Sequence, residues 1–263
     1  MKCEDIGDEC HCTQPSSARS PGQFGCIQEF AKLMRSPCGS RSRFPTLGVL
    51  EDGSPGLEVL MIGLGGGTLP QYLQSNCHNL LRLVVVELDP RVVKTAQTFF
   101  GLDFTISDNK DVTLAEDSFT VVVEDGGAAV HNQSPEGNRF DVVLVDCFAA
   151  HGLVPDSCSS QTFIEDVEKI LKPGGLVLHH VWAEQEPELA KRYENTFGVV
   201  TVHDVPLTTG LNFILSVNKD ITSDSAATQF RILKTAMRHI EILQFRRQHG
   251  MPLTNLQVTT QKM

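Results

Sequence analysis

The sequence predicts an α/β protein built on a doubly wound, Rossmann-like sheet of mostly parallel strands. Three observations carry that prediction. Across residues 57–218, short β-branched runs alternate with segments of helical periodicity, the signature of βαβ units. The runs are apolar almost throughout, as strands covered on both faces should be. The first of them leads into a glycine-rich bend, Gly63-Leu64-Gly65-Gly66-Gly67-Thr68, and a helix pattern follows.

The chain divides into three parts. Residues 1–56 contain many Ser, Gly, Pro and Cys, with one short helix-like patch at 27–34, and read as a loosely ordered extension. Residues 57–218 form the α/β domain. Residues 219–263 contain an amphipathic helix at 225–249, with Phe230, Leu233, Met237, Ile240 and Leu243 on one face and Arg246 and Arg247 favourably placed near its C-terminal dipole. That face suits either the sheet or a second subunit, so a homodimer is one expectation.

The strand candidates are LEVLMI (57–62), LRLVVVE (81–87), FTVVV (119–123), FDVVLVD (140–146), LVLHHV (176–181) and VVTVHDV (199–205), followed by the run 212–217. Thr68, with Pro70 in the first turn, reads as the cap of the first helix. Asp89 before Pro90 supplies a cap and a proline at the first helical position for the next, whose stripe is Val92, Val93, Ala96, Phe99 and Phe100. Thr162 and Glu165 have capping-box spacing ahead of Phe163, Val167, Ile170 and Leu171. Lys172-Pro173-Gly174-Gly175 ends that helix and turns the chain into the next strand. Residues 103–117 carry five acids and one lysine, and read as a solvated excursion.

Composition narrows the function classes. Hydrophobic residues at 41% and charged residues at 21% exclude disorder or a coiled coil for the bulk of the chain. A net charge of −10 opposes attraction to nucleic acid or anionic lipid and suits a small molecule or a basic protein. Lys32, Arg35, Arg41 and Arg43 read as a solvated basic loop. No apolar run approaches the roughly 20 residues that span a bilayer, and the acidic start MKCEDIGDECHC is unlike a signal peptide. The expectation is a cytoplasmic protein whose eight cysteines are mostly reduced thiols. Cys3, Cys10, His11 and Cys12 match no zinc spacing, so no metal is expected.

Function is legible at the ends of the strands. Glycines after the first strand let a backbone pass close beneath a nucleoside-containing ligand. A dinucleotide fingerprint would place its third glycine at 68, where Thr68 stands, which argues against a bound pyrophosphate. Glu87 closes the second strand, with Leu88 beside it, where a carboxylate can accept both hydroxyls of a ribose; the plainer reading is an acid at a helix start. Asp125, in Glu124-Asp125-Gly126 after the third strand, can accept from an adenine amino group, cap the following helix, or do both. Asp146 closes the fourth strand and faces the reacting end of a cofactor. His179 and His180 read as packed, hydrogen-bonded residues, and Asn212 as a turn-fixing residue. Trp182 fits a pocket lining or a partly buried aromatic equally well, and nothing around Cys147 marks it as a nucleophile.

The stretches MIGLGGGTLPQYL, VVVELDPRVVKTAQTFFGL, VEDG, RFDVVLVDCF and ILKPGGLVLHHV resemble class I S-adenosylmethionine-dependent methyltransferases. Within that fold they are most similar to the spermidine-synthase-like branch, which includes methyltransferase-like proteins acting on a lysine or the N-terminus of elongation factor 1-alpha. The resemblance implies seven strands with the last antiparallel, and S-adenosylmethionine as cofactor. It also implies a cofactor site made of Gly63, Leu64, Gly65, Gly66, Gly67, Glu87, Leu88, Asp125, Gly126 and Asp146, with Asp146 bordering the transfer site. Spermidine synthases carry Asp where Gly66 stands, and an Asp-x-x-Asp pair where this chain has Asp146-Cys147-Phe148-Ala149; those acids hold substrate amines. With Gly66 and Ala149 in place of two of those acids, aminopropyl transfer is disfavoured and methylation of a protein amine is the leading expectation, with Asp146 helping to remove the amine proton. A non-catalytic adaptor that retains the fold is the third reading.

Overall fold

The main sheet runs in the order β10-β11-β9-β8-β4-β5-β7-β6, with β3 paired to the edge of β4's first residues. Its strands are β3 (Gly48–Val49), β4 (Pro55–Ile62), β5 (Leu80–Glu87), β6 (Thr105–Ser107), β7 (Phe119–Val123), β8 (Phe140–Val145), β9 (Leu171–Trp182), β10 (Thr201–Asp204) and β11 (Asn212–Asn218). Separately, β1 (Cys3–Ile6) and β2 (Glu9–Cys12) form an antiparallel pair. The computed structural model describes residues 55–107, 118–134, 139–149, 152–205 and 212–219, with short stretches at 3–6, 9–12, 29–30, 32–34, 38 and 48–49. The expected helix at 225–249, and the dimer surface it would offer, lie outside the described residues.

From β6 to β9 every neighbouring pair in the sheet order is parallel, and β11 runs antiparallel to both β9 and β10. The expected antiparallel last strand is therefore present, but the strand count exceeds seven. The additions are β3 and β6, and β6 falls within the stretch read as a solvated excursion. Thr105, Ile106 and Ser107 pair with β7 at the sheet edge, where one covered face suffices and the apolar signal is weak.

Helices α1 (Thr68–Asn76), α2 (Pro90–Phe100), α3 (Gly126–Gln133), α4 (Gln161–Ile170) and α5 (Glu186–Phe197) cover the sheet. Alternate strand residues face opposite ways. Leu60, Ile62, Val84, Val86, Val143 and Val145 pack with α3, α4 and α5, including Phe163, Ile164, Leu189 and Tyr193. Val59, Met61, Leu83, Val85, Val142 and Leu144 pack with α1 and α2 through Leu69, Leu73, Val93 and Ala96. Phe30 and Met34 join this second layer at 1% and 0% exposure. The 27–34 patch is therefore core at these positions, and Lys32 pairs with Glu29 three residues earlier in place of lying in a solvated loop.

Asp89 caps α2, its side chain accepting from the Arg91 N–H with Pro90 in the first turn. Two expected caps move. Gly67, in the left-handed region at φ 71°, precedes α1 in place of Thr68, and Ser160 caps α4 through the Phe163 N–H in place of Thr162. As expected, α4 ends ahead of Lys172-Pro173-Gly174-Gly175, but these residues already belong to β9, which begins at Leu171, and the buried Lys172 ammonium lies 2.7 Å from Glu58 and 2.9 Å from Asp141. Burial of Asp141 pushes its carboxyl up, against the N–H of Glu58 and the Lys172 charge. Among the described cysteines, Cys147 and Cys158 are thiols, as expected for most of the eight, while Cys38 and Cys77 form a disulfide that nothing in the sequence signalled.

Candidate active site

The sheet reverses direction of growth between β4 and β8, and there the tips of four strands are hydrogen-bonded side by side. The Gly63 N–H donates to Val86 O at 2.8 Å, the Asp146 N–H to Ile62 O at 2.9 Å, and the Glu124 N–H to Glu87 O at 3.1 Å. Ladder pairing thus continues past β4, β7 and β8 to Gly63, Glu124 and Asp146, and brings Gly63, Glu87, Asp125 and Asp146 to one rim. An open α/β sheet binds ligands at such a switch point.

Gly63 brings two tips together. Its φ is +96°, and a β-carbon would stand 2.3 Å from the Asp146 carbonyl oxygen, closer than any side chain tolerates. Gly65, also at positive φ (+53°), has open space where a β-carbon would be. The bend is therefore bare where a ligand would lie. Gly67 is bare for packing, since a β-carbon would meet Leu102. Gly66 is half-buried. Leu64 is 3% exposed and belongs to the core, so its backbone faces the rim while its side chain does not; Leu88 is 66% exposed.

Glu87 ties the bend down. Its Oε2 accepts the Leu64 N–H at 2.9 Å and its Oε1 accepts the Asp89 N–H at 3.0 Å. The helix-start reading and a ligand role are compatible, because each carboxylate oxygen retains a further lone pair. Asp125 caps α3 through Oδ1, accepting from the Ala128 N–H at 3.0 Å, and its Oδ2 accepts from the Ser157 hydroxyl at 3.0 Å. Ser157 belongs to a 3-10 turn, Asp156–Cys158, and was not singled out by sequence. Gly126 is buried against Ile62 and Cys158.

Asp146 is half-exposed, and its Oδ1 lies 2.9 Å from His180 Nδ1. His180 Nε2 in turn lies 2.9 Å from Asn212 Oδ1. Neither residue was expected at the site. The signal available was register: β8 and β9 are parallel neighbours with Val145 opposite His179, so the next residue of each strand, Asp146 and His180, meet on one face. His179 faces the other layer, 2.9 Å from the Tyr193 hydroxyl, and burial holds its pKa down at about 3. Phe148 lies edge-on to both His180 (4.9 Å) and Trp182 (6.4 Å), giving the rim an aromatic wall beyond Asp146. A hydrogen bond with Cys158, burial and the nearby carboxylates push the Cys147 thiol well up, which suppresses the thiolate a nucleophile needs. Among the described residues no cluster of His, Cys, Asp and Glu is placed to hold a metal ion.

The family model for the spermine/spermidine synthase domain matches residues 49–205. The chain belongs to that family. An eEF1A lysine and N-terminal methyltransferase from Danio rerio is 37% identical over 128 residues, covering 46% of this chain and 17% of that protein. A polyamine aminopropyltransferase from Vibrio vulnificus is 23% identical over 175 residues, covering 65% of this chain and 54% of its own length. The chain thus spans under two thirds of either relative. In fold, this spermine/spermidine synthase domain is similar to human methyltransferase-like protein 13 in complex with SAH, with a TM-score of 0.55 at 18% identity, covering 78% of this chain and 86% of that one.

Proposed function

We propose that this chain is an S-adenosylmethionine-dependent methyltransferase acting on a protein amine, a lysine or an N-terminus. The observation that carries the proposal is the rim itself: an open bend at Gly65, with Glu87, Asp125 and Asp146 on adjoining strand tips. These residues fit the cofactor. Glu87 retains lone pairs for ribose hydroxyls, Asp125 for the adenine amino group, and the bare bend from Gly63 to Gly67 leaves room for the methionine part. Leu64 and Gly126 contribute backbone, and Leu88 an exposed apolar cover.

When bound, S-adenosylmethionine supplies an electrophilic methyl on a sulfonium. The protein's own task is to align a neutral amine with that methyl and to keep water out. Asp146 Oδ2 carries no hydrogen bond among the described residues, and takes one proton from the incoming ammonium, freeing the nitrogen lone pair. Phe148 and Trp182 wall the approach and accommodate the aliphatic part of the acceptor. Gly66 and Ala149 stand where aminopropyltransferases place acids for substrate amines, so a polyamine acceptor would meet no charge there. The relatives that methylate eEF1A support a protein acceptor, in keeping with the net charge of −10 and a cytoplasmic site of action without nucleic acid or membrane partners. Among the described residues no helix is long and apolar enough to cross a membrane. Residues 57–218 constitute the cofactor-binding domain in this proposal.

The aminopropyltransferase reading is favoured by the family match and the Vibrio relative. Calorimetry with S-adenosylmethionine and its decarboxylated form, then labelled-methyl transfer to purified eEF1A and to lysate proteins, decides between them. Methyl transfer reads as preference for the intact cofactor and label in protein. Preference for the decarboxylated form, or tight binding with no labelled product, overturns the proposal.

A further inference from the structure

We propose that His180, itself oriented by Asn212, is the positioning residue that presents the Asp146 carboxylate to the acceptor amine, so that β8, β9 and β11 hold one hydrogen-bonded chain, Asp146–His180–Asn212. The proposal rests on the methyl-transfer reading of the rim. Both contacts are 2.9 Å, and both buried members sit where apolar residues would pack at lower cost. His180 and Asn212 are each 7% exposed, in the layer that holds Leu176, Leu178 and Ile214. Polar side chains placed there lose hydration, and only complete pairing compensates. The chain supplies that pairing and has its open end at the rim.

The geometry sets the protons. Nδ1 of His180 faces a carboxylate oxygen, so it must carry a hydrogen and donate. Nε2 then either accepts from an amide N–H, in a neutral ring, or donates to an amide oxygen, in a cationic one; the side-chain amide of Asn212 serves either state by turning its plane. The ring itself cannot turn. Phe148 meets it edge-on at 4.9 Å and Phe30 at 6.3 Å, two rings from separate segments of the chain. With Oδ1 engaged, the carboxylate is held in one orientation and Oδ2 is the oxygen left for the amine. An Asp146 without this brace would rotate at the half-exposed rim and spend less time aligned. The adjacent His179 provides the contrast: it bonds Tyr193 on the other face and has no route to the rim.

Two measurements test this on the full chain. The first needs no acceptor: nitrogen-15 spectra of histidine-labelled protein. The wild type is expected to show His180 protonated on Nδ1, and Asp146→Ala, which removes the acceptor at Nδ1, to release the ring toward the Nε2-protonated form. A wild-type ring bearing its only proton on Nε2 overturns the proposal. The second follows kcat for labelled-methyl transfer beside the dissociation constant of S-adenosylhomocysteine. His180→Phe keeps the ring volume without a donor and should lower kcat roughly 10- to 100-fold, the scale of one charge-assisted hydrogen bond, with cofactor affinity within about twofold. His180→Asn, whose amide N–H stands close to the position of Nδ1, should restore most of it. If His180→Phe does not fold, Asn212→Ala carries the same expectation with a smaller loss. Equal kcat for wild type, His180→Phe and Asn212→Ala overturns the positioning role. A wild type that transfers no methyl overturns the underlying reading instead, and the two failures are distinguishable.

Discussion

The Glu87 carboxylate holds the Leu64 N–H at 2.9 Å, across 23 residues of sequence, while its other oxygen holds the Asp89 N–H at 3.0 Å. One side chain therefore fixes both the glycine bend and the start of the α2 cap, and any ribose would be read by an acid already locked in place. Glu87→Ala should weaken S-adenosylhomocysteine binding by at least about 30-fold, since hydrogen bonds to a charged group contribute roughly 1.5–3 kcal/mol each, and should lower the melting temperature as well. Glu87→Gln should do little better, because its amide nitrogen would face one of the two backbone donors. Wild-type affinity in Glu87→Gln, measured by calorimetry, would remove Glu87 from the site.

Gly63 and Gly65 differ in what surrounds them, and their alanine variants should separate folding from binding. At Gly63 the added methyl would overlap the Asp146 carbonyl, so the β4 and β8 tips must part; Gly63→Ala should cost more than the roughly 1–2 kcal/mol of a left-handed backbone alone and lower the urea midpoint markedly. At Gly65 the same backbone strain applies, but nothing lies within 4 Å. Gly65→Ala should thus retain most of its stability while losing cofactor affinity tenfold or more. Unchanged affinity in a folded Gly65→Ala protein would show that the ligand does not cross the bend.

The buried strands were legible in the sequence because β4, β5, β7, β8 and β9 are covered on both faces and need continuous apolar runs. The acids at their tips were legible for the same reason, as the first polar residues after each run. What escaped notice depends on neighbours distant in sequence. Ser157 reaches Asp125 from a 3-10 turn 32 residues away, and Asn212 reaches His180 only because β11 inserts antiparallel beside β9. Local pattern gave Thr162 a capping box, yet Ser160 takes the cap, since both residues offer a hydroxyl and docking of α4 decides between them. Lys172 looked like loop chemistry beside Pro173 and Gly174; its partners Glu58 and Asp141 lie 114 and 31 residues away.

Two buried histidines should make the fold acid-sensitive before its carboxylates titrate. Burial, helped by the neighbouring His180, pushes His179 down to about 3; burial, helped by the Lys32 charge, pushes His203 down to about 4. In the unfolded chain both return to an ordinary value of 6.5. Below 6.5 the unfolded chain therefore binds protons that the folded protein refuses, and stability falls as pH falls; above 6.5 neither state is protonated and the two residues contribute no slope. Between pH 6.5 and 5 each histidine should contribute up to about 1.4 kcal/mol per pH unit, while most Asp and Glu side chains remain ionised. Urea denaturation at steps from pH 8 to 5 should show a plateau and then a decline. His203→Gln, which can retain a hydrogen bond to Ser216, should reduce the decline by about half. A flat profile through pH 5 in the wild type would mean that these rings are reached by water in the folded protein, contrary to the burial of both.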